Sequence, residues 1–225
     1  MGRLCSSRYE REARKLGYAC IAGLDEAGRG ALFGPVVAAA VILDPRRRIP
    51  GLDDSKKLRP ERRETLAERI RERASAWAVA EVDAGRIDAW NIFQASQQAM
   101  LLALGGLSVT PDYLLIDAMT IESAIAQRPL IHGDARSFSI AAASILAKQA
   151  RDHLMDGWAA RYPGYGFERN RGYATPDHLD ALRRLGPTPH HRFSFAPVRD
   201  AACWAASAIQ TALPLVAPGD GNGTE

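Results

Sequence analysis

The sequence predicts an α/β protein: a mixed sheet with flanking helices and a helical C-terminal part. Three observations carry this. Two early apolar runs, 18–24 and 36–43, are short and nearly continuous, the pattern of strands buried on both faces. From Pro60 onward, helical stretches alternate with further short apolar runs. After Ser137, helical spacing dominates and strand-like runs cease.

In order, 18–24 reads as a strand ending in a glycine-rich turn, and 36–43 as a second strand. Pro60 opens the helix PERRETLAERIRERA, with Glu61 and Glu64 near its start, where carboxylates suit the dipole. A strand is predicted over 76–82, and one helix over 87–104 that stops at Gly105-Gly106. The apolar 113–116 is a strand that halts at Asp117. A long helix runs over 137–161, followed by a loop rich in Gly, Tyr and Arg. TPDHLDALRRLG is then a helix with Thr175 as N-cap, Pro176 in its first position and Gly186 at its stop.

With 225 residues, 47% of them hydrophobic, the chain can bury a sizeable core. The reading is one domain over 18–212, its C-terminal helical part starting near 175. An N-terminal segment (1–17) precedes it, and a small, polar, disordered tail (213–225) follows. The net charge of +3 is mildly basic; it permits a nucleic-acid partner without requiring one. Cys5, Cys20 and Cys203 are scattered and odd in number, which argues against a disulfide framework or a thiolate metal site. No apolar run approaches the roughly 18–20 residues that span a bilayer. The basic start MGRLCSSRYEREARKLG lacks the apolar core of a secretory signal. The expectation is a cytoplasmic monomer with no membrane partner.

The chemistry begins at Asp25-Glu26, where a buried strand meets the turn AGRGALFGP. Adjacent strand residues point to opposite faces, so the pair can serve one site only if the strand ends there. An isolated Asp-Glu pair is more often a solvated turn, and Asp134 alone is more often a helix cap. Yet Asp117 and Asp134 also follow apolar runs, YLLI and Pro129-Leu130-Ile131. Acids at several strand ends repel one another unless a cation sits among them. Oxygen-only ligands select hard cations, Mg²⁺ or Mn²⁺. The five histidines show no ligand spacing and read as surface or supporting residues.

Gly28-Arg29-Gly30 leaves a backbone that can press its amides on a phosphate or ribose, with Arg29 adding charge-assisted bonds. Ser144, Lys148 and Arg151 fall at i, i+4 and i+7 on the long helix, one stripe that either faces solvent or holds phosphates. Lys56 and Lys57, in DDSKK, are further phosphate candidates. The interleaved aromatics, glycines and cations around Tyr162, Tyr165 and Tyr173 suit sugar or base contact. A structural loop would also account for them.

The ordered blocks IAGLDEAGRGALFGPVVAAAVIL, DDSKKL, LLIDA, HGDARSFSIAAASILAKQARD, RGYATPDHL and HRFSFAPV resemble the bacterial ribonuclease HII (type 2 ribonuclease H) family over about 21–198. The resemblance implies a ribonuclease H-like fold: a central mixed five-stranded sheet flanked by helices, with a helical C-terminal extension. It implies endonucleolytic cleavage of RNA paired with DNA and of single ribonucleotides in DNA, with Mn²⁺ or Mg²⁺, two ions during catalysis. By resemblance the catalytic and metal-binding acids fall on Asp25, Glu26, Asp117 and Asp134. The junction-reading triplet falls on Gly28, Arg29 and Gly30, and the sugar-stacking ring on Tyr173. The chain departs from the family where it has His132-Gly133-Asp134 for the usual Lys-Gly-Asp, and Asn170-Arg171-Gly172-Tyr173 for the common His-Lys-Gly-Tyr. Ala118 stands where glycine is common. The residues give no reading of a protein partner such as a sliding clamp. A type 3 ribonuclease H is disfavoured because about twenty residues precede Ile21, and an inactive hybrid-binding module because all four acids are present.

Overall fold

A computed structural model describes residues 5–203. Its centre is a five-stranded mixed sheet in the order β3-β2-β1-β4-β5. Strand β1 (Ile21–Ala27) pairs antiparallel with β2 (Val36–Leu43), and β2 antiparallel with β3 (Ala74–Val82). On the other side, β4 (Tyr113–Asp117) lies parallel to β1, and β5 (Ala126–Leu130) parallel to β4.

The central runs lack polar alternation because helices cover both faces. Ala22, Leu24, Ala38, Ala40, Leu114 and Ile116 pack on Ala95, Ala99, Met100 and Ala103. Those four belong to helix α4 (Ile92–Gly105), which follows α3 (Ala84–Trp90). On the opposite face, Ala39 and Val41 meet Leu66 and Ile70 of α2 (Pro60–Arg73) and Ala142 and Ile145 of α5 (Phe138–Arg161). Helix α5 sits so close to β1 that a Cβ on Gly23 would lie 2.1 Å from the backbone of Ser139. The first helix, α1 (Arg8–Lys15), lies within the segment read as preceding the domain. It packs Tyr9 and Ala13 against Ile21, Leu115 and Ile140. A further core cluster joins Phe33 and Met155 to Phe167 of α6 (Phe167–Asn170) and Leu182 of α7 (Pro176–Leu185). The backbone is helical again over 196–203.

Several expectations are corrected. Strand β1 starts at Ile21 rather than at 18, because the Asp112 carboxylate takes the N–H groups of Ala19 and Cys20 (2.8 and 2.9 Å). It also continues through Asp25-Glu26 to Ala27 instead of ending at the pair. The single helix over 87–104 is two helices. Asn91 breaks it with φ 73° and caps α4 by accepting from Phe93 N and Gln94 N. The run before Asp134 is an edge strand with Arg128 and Pro129 exposed, where a proline costs no ladder bond. Asp134 is not the cap of α5; it sits in a 3-10 turn, and Ser137 caps the helix by accepting from Ile140 N at 3.3 Å. His178 and His191, read as surface or supporting residues, are fully buried. The tail over 213–225 and the domain end at 212 lie outside the described residues. Among the described residues, no helix is long and apolar enough to cross a membrane.

Candidate active site

The parallel register of β1 and β4 pairs Leu24 with Ile116, and the next residues along the two strands are Asp25 and Asp117. Both belong to the alternate set that faces α5, with Gly23 and Leu115 before them. Asp117 Oδ1 accepts a 2.6 Å hydrogen bond from Gly133 N, which ties the end of β4 to the turn carrying Asp134. That turn begins at His132 in the left-handed region (φ 56°). A Cβ on Gly133 would lie 2.6 Å from Ile140 Cδ1 and 3.2 Å from Asp117 Oδ1, so a side chain there would have to displace both. Asp25 and Asp134 are 5% and 7% exposed, and Oε2 of Glu26 is buried without a hydrogen-bond partner.

Burial raises the Asp25 carboxyl well above its ordinary range, and Glu26, Asp117 and Asp134 add to the effect, while the Ser144 hydroxyl opposes it. Glu26 is raised by burial and by Asp117, against Arg29. Asp134 is raised by burial, Asp54 and Asp117, against Lys56. Burial would lower Lys56, but Asp134, Asp25, Asp54 and Asp117 outweigh it and hold the ammonium above its usual value. All four expected acids therefore share one electrostatic site.

The donor set fits a hard divalent cation. The acids offer oxygen only, one buried oxygen has no partner, and the repulsion among them is what a cation relieves. Among the described residues no three Asp, Glu, His or Cys side chains converge into a ready-made cage. One oxygen of each aspartate is held by a backbone N–H: Asp25 by Glu26 (2.8 Å), Asp117 by Gly133 (2.6 Å) and Asp134 by Ala135 (2.9 Å).

The basic candidates separate. Lys56 faces the acids, whereas Lys57 lies 3.8 and 3.9 Å from Asp53 and Asp54. Arg29 reaches Glu26 at 3.5 Å and lies over the Phe93 ring. Ser144 is buried, and its hydroxyl is 2.8 Å from that of Ser55. Lys148 is ion-paired with Asp152, which Arg63 also binds at 2.8 Å. Arg151 is the clearest departure: it is fully buried and donates to the carbonyls of Pro35, Phe33 and Arg171 (3.3, 3.2 and 2.9 Å). Ser144, Lys148 and Arg151 thus do not form an open basic stripe: Ser55 covers the first, Asp152 engages the second, and the backbone of Phe33, Pro35 and Arg171 encloses the third. Tyr173 lies against the Arg151 guanidinium (5.2 Å) and forms a backbone bridge with Ala31, beside Gly30. Gly28 has φ 89°, while Gly30 has open space where a Cβ would stand.

Two contributors lie inside the DDSKKL block without being singled out as site residues by the sequence. Asp54 acts on Asp134 only because its loop folds over the sheet end, and Ser55 acts through Ser144.

The chain is similar to known proteins over most of its described length. A family model described as Ribonuclease HII matches residues 22–198. The ribonuclease HII of Koribacter versatilis is 57% identical over 212 residues, covering 94% of this chain and 82% of that protein. The crystal structure of the ribonuclease H2 from Pyrococcus horikoshii OT3 matches with a TM-score of 0.71 at 25% identity, over 82% of this chain and 97% of that one. Bst-RNase HIII in complex with Mn²⁺ shares the fold at 22% identity, with a TM-score of 0.63 over 87% of this chain and 73% of that one. A match of this span and identity shows that the chain belongs to the ribonuclease HII family, divalent-metal-dependent endonucleases that hydrolyse the RNA strand of RNA/DNA hybrids.

Proposed function

We propose that this chain also cuts on the 5′ side of single ribonucleotides embedded in duplex DNA, leaving 5′-phosphate and 3′-hydroxyl ends, and so serves ribonucleotide removal from DNA. The observation that carries this is the backbone bridge between Ala31 and Tyr173, which sets the tyrosine beside Gly30. Only a 2′-hydroxyl distinguishes the embedded ribonucleotide, so a site must read that group directly. The open space at Gly30 lets the backbone approach it, and an aromatic ring on the next sugar leaves no room for a second 2′-oxygen.

Asp25, Glu26, Asp117 and Asp134 would hold the cations, Mn²⁺ or Mg²⁺. Two such ions, when bound, supply an activated water and stabilise the leaving 3′ oxygen. Lys56, raised by its acidic neighbours, stays charged and neutralises a phosphate entering the site. Arg29 has two roles: it offsets the charge of Glu26, and its half-exposed guanidinium meets the backbone of the substrate.

The test is a labelled DNA duplex with one ribonucleotide, incubated with Mn²⁺ and with EDTA. One cut on the 5′ side, in Mn²⁺ alone and with the stated ends, is expected. Binding in both buffers with cleavage in neither would instead mark a hybrid-binding module.

A further inference from the structure

Two fully buried histidines, His178 and His191, take no part in the chemistry described so far. They form a directional chain. The backbone N–H of Thr188 donates to His191 Nδ1 at 2.9 Å, so that nitrogen carries no proton and the ring's proton is on Nε2. His191 Nε2 lies 3.1 Å from His178 Nε2, which must then accept. The proton of His178 is therefore on Nδ1, and it is donated to the carbonyl of Tyr173 at 2.9 Å. With both rings neutral, one pair of tautomers satisfies every contact. Phe33, Tyr165 and Phe167 wall the pair with ring centroids 4.9–5.3 Å away, which keeps water out.

The next residue reaches the other side of the same space. Arg192, also fully buried, donates from Nε to Gly34 O (3.0 Å) and from Nη1 to Arg29 O (2.9 Å). Its own N–H bonds Leu32 O at 2.8 Å, and Leu32 N bonds Gly172 O at 2.8 Å. The backbone over 31–34 thus lies between the tyrosine loop and the pair His191-Arg192, bridged to each. One residue of that pair leads to Tyr173; its neighbour holds the carbonyl at the centre of Gly28-Arg29-Gly30.

We propose that His178, His191 and Arg192 are positioning residues that set the gap between the Tyr173 ring and the Gly28-Arg29-Gly30 backbone, and thereby determine how strongly the enzyme prefers a ribonucleotide–deoxyribonucleotide junction over a continuous hybrid. The proposal rests on the junction-reading role of Tyr173 given above. It adds that the ring reads only while its own carbonyl is held.

His178→Asn and His178→Gln separate this from simple core filling. The asparagine amide puts a nitrogen near the place of Nδ1 and can keep the bond to Tyr173 O. The glutamine amide reaches toward His191 but loses that bond. The measurement is the ratio of kcat/KM on a single embedded ribonucleotide to that on a continuous hybrid, with Tyr173→Ala beside them. The expected result is a ratio near the parent's for His178→Asn and about fivefold to tenfold lower for His178→Gln, the scale of one lost hydrogen bond. Hybrid cleavage should be little changed in both. If both variants lose activity on the two substrates by one common factor, the histidines only fill the core and the proposal is overturned. If Tyr173→Ala lowers the ratio and His178→Gln does not, the positioning fails while the reading of Tyr173 survives. An unchanged ratio for Tyr173→Ala removes the reading itself, and this assignment with it. Should neither histidine variant fold, ¹⁵N-histidine spectra of the parent decide in EDTA. The His178 Nδ1–H signal should move on binding the junction duplex and not the hybrid, and equal responses would overturn the proposal.

Discussion

Arg151 occupies the space that a side chain on Gly28 would need: a Cβ there would lie 1.9 Å from Arg151 Nε. The arginine cannot yield easily, because it is buried and bonded to three backbone carbonyls. Gly28 also has φ 89°, a conformation that costs an L side chain strain of its own. Gly28→Ala should therefore lower stability by more than about 2 kcal/mol. Gly30→Ala meets nothing within 4 Å and should leave stability within about 0.5 kcal/mol while weakening substrate affinity. Urea unfolding and hybrid binding of the two variants check this; equal destabilisation would show that both glycines serve the fold alone.

Removal of one acid should abolish cleavage without unfolding the protein. Asp25→Asn should reduce kcat/KM by at least about 10³-fold, the scale of losing a preorganised electrostatic group. The folded-state pKa of Asp25 is raised, so in metal-free buffer its stabilising share is present at low pH and is lost as pH rises through that value. At pH 7 with EDTA the variant should equal or exceed the parent in thermal midpoint, with the difference shrinking in acid. A variant that unfolds at pH 7 would mark Asp25 as structural.

Salt dependence should sort the cations. Lys56→Ala should lower the slope of log affinity against log salt by about 0.9, one phosphate's worth. Arg151→Ala should instead destabilise by more than about 3 kcal/mol, since three buried carbonyls lose their donor. A well-folded Arg151→Ala protein with a reduced slope would return that arginine to the phosphate-binding set.

Acid should loosen the helical C-terminal part. Burial lowers His178 and takes His191 down to about 3. Their unfolded values lie near 6.5, so the unfolded chain binds protons first, and stability present above about 6.5 drains away as pH falls below it. The raised carboxylates of Asp25, Glu26 and Asp134 push the opposite way, so the comparison belongs in the triple variant Asp25→Asn, Glu26→Gln, Asp134→Asn. Its urea midpoint should be lower at pH 5.5 than at pH 7.5. A rising midpoint would contradict neutral, buried imidazoles.

The parts of the fold legible in the sequence are those where local chemistry and tertiary context agree. Strand β2 is apolar throughout and buried at every position but its last, Leu43, and Pro60, Thr175 and Gly186 mark helix ends that packing leaves in place. The misread elements are those decided by distant partners. Asp112 trims the start of β1 across more than ninety positions, and Asn91 splits a helix by capping its second half. At the site, the four acids stood out because charges after apolar runs demand an explanation. The stripe on α5 was misread because helical spacing says which residues share a face and not what covers it. Arg151 and Lys148 look alike by that measure, yet loops far apart in the chain, at 33–35 and 171, enclose one and an ion pair engages the other.

Helix α5 gives Ser144 to the surroundings of Asp25 and, seven residues on, Arg151 to the underside of Tyr173. At about 1.5 Å per residue, those two positions stand roughly 10 Å apart along a rod that neither stretches nor bends easily. Such a rod is a ruler. If Tyr173 senses the sugar as proposed, the acids and the ring are spaced by helical rise, and the bonds from His178 and Ala31 keep the ring's loop on that mark. On the proposed reading, a molecule built in this way would nick at one fixed offset from the ribose it detects.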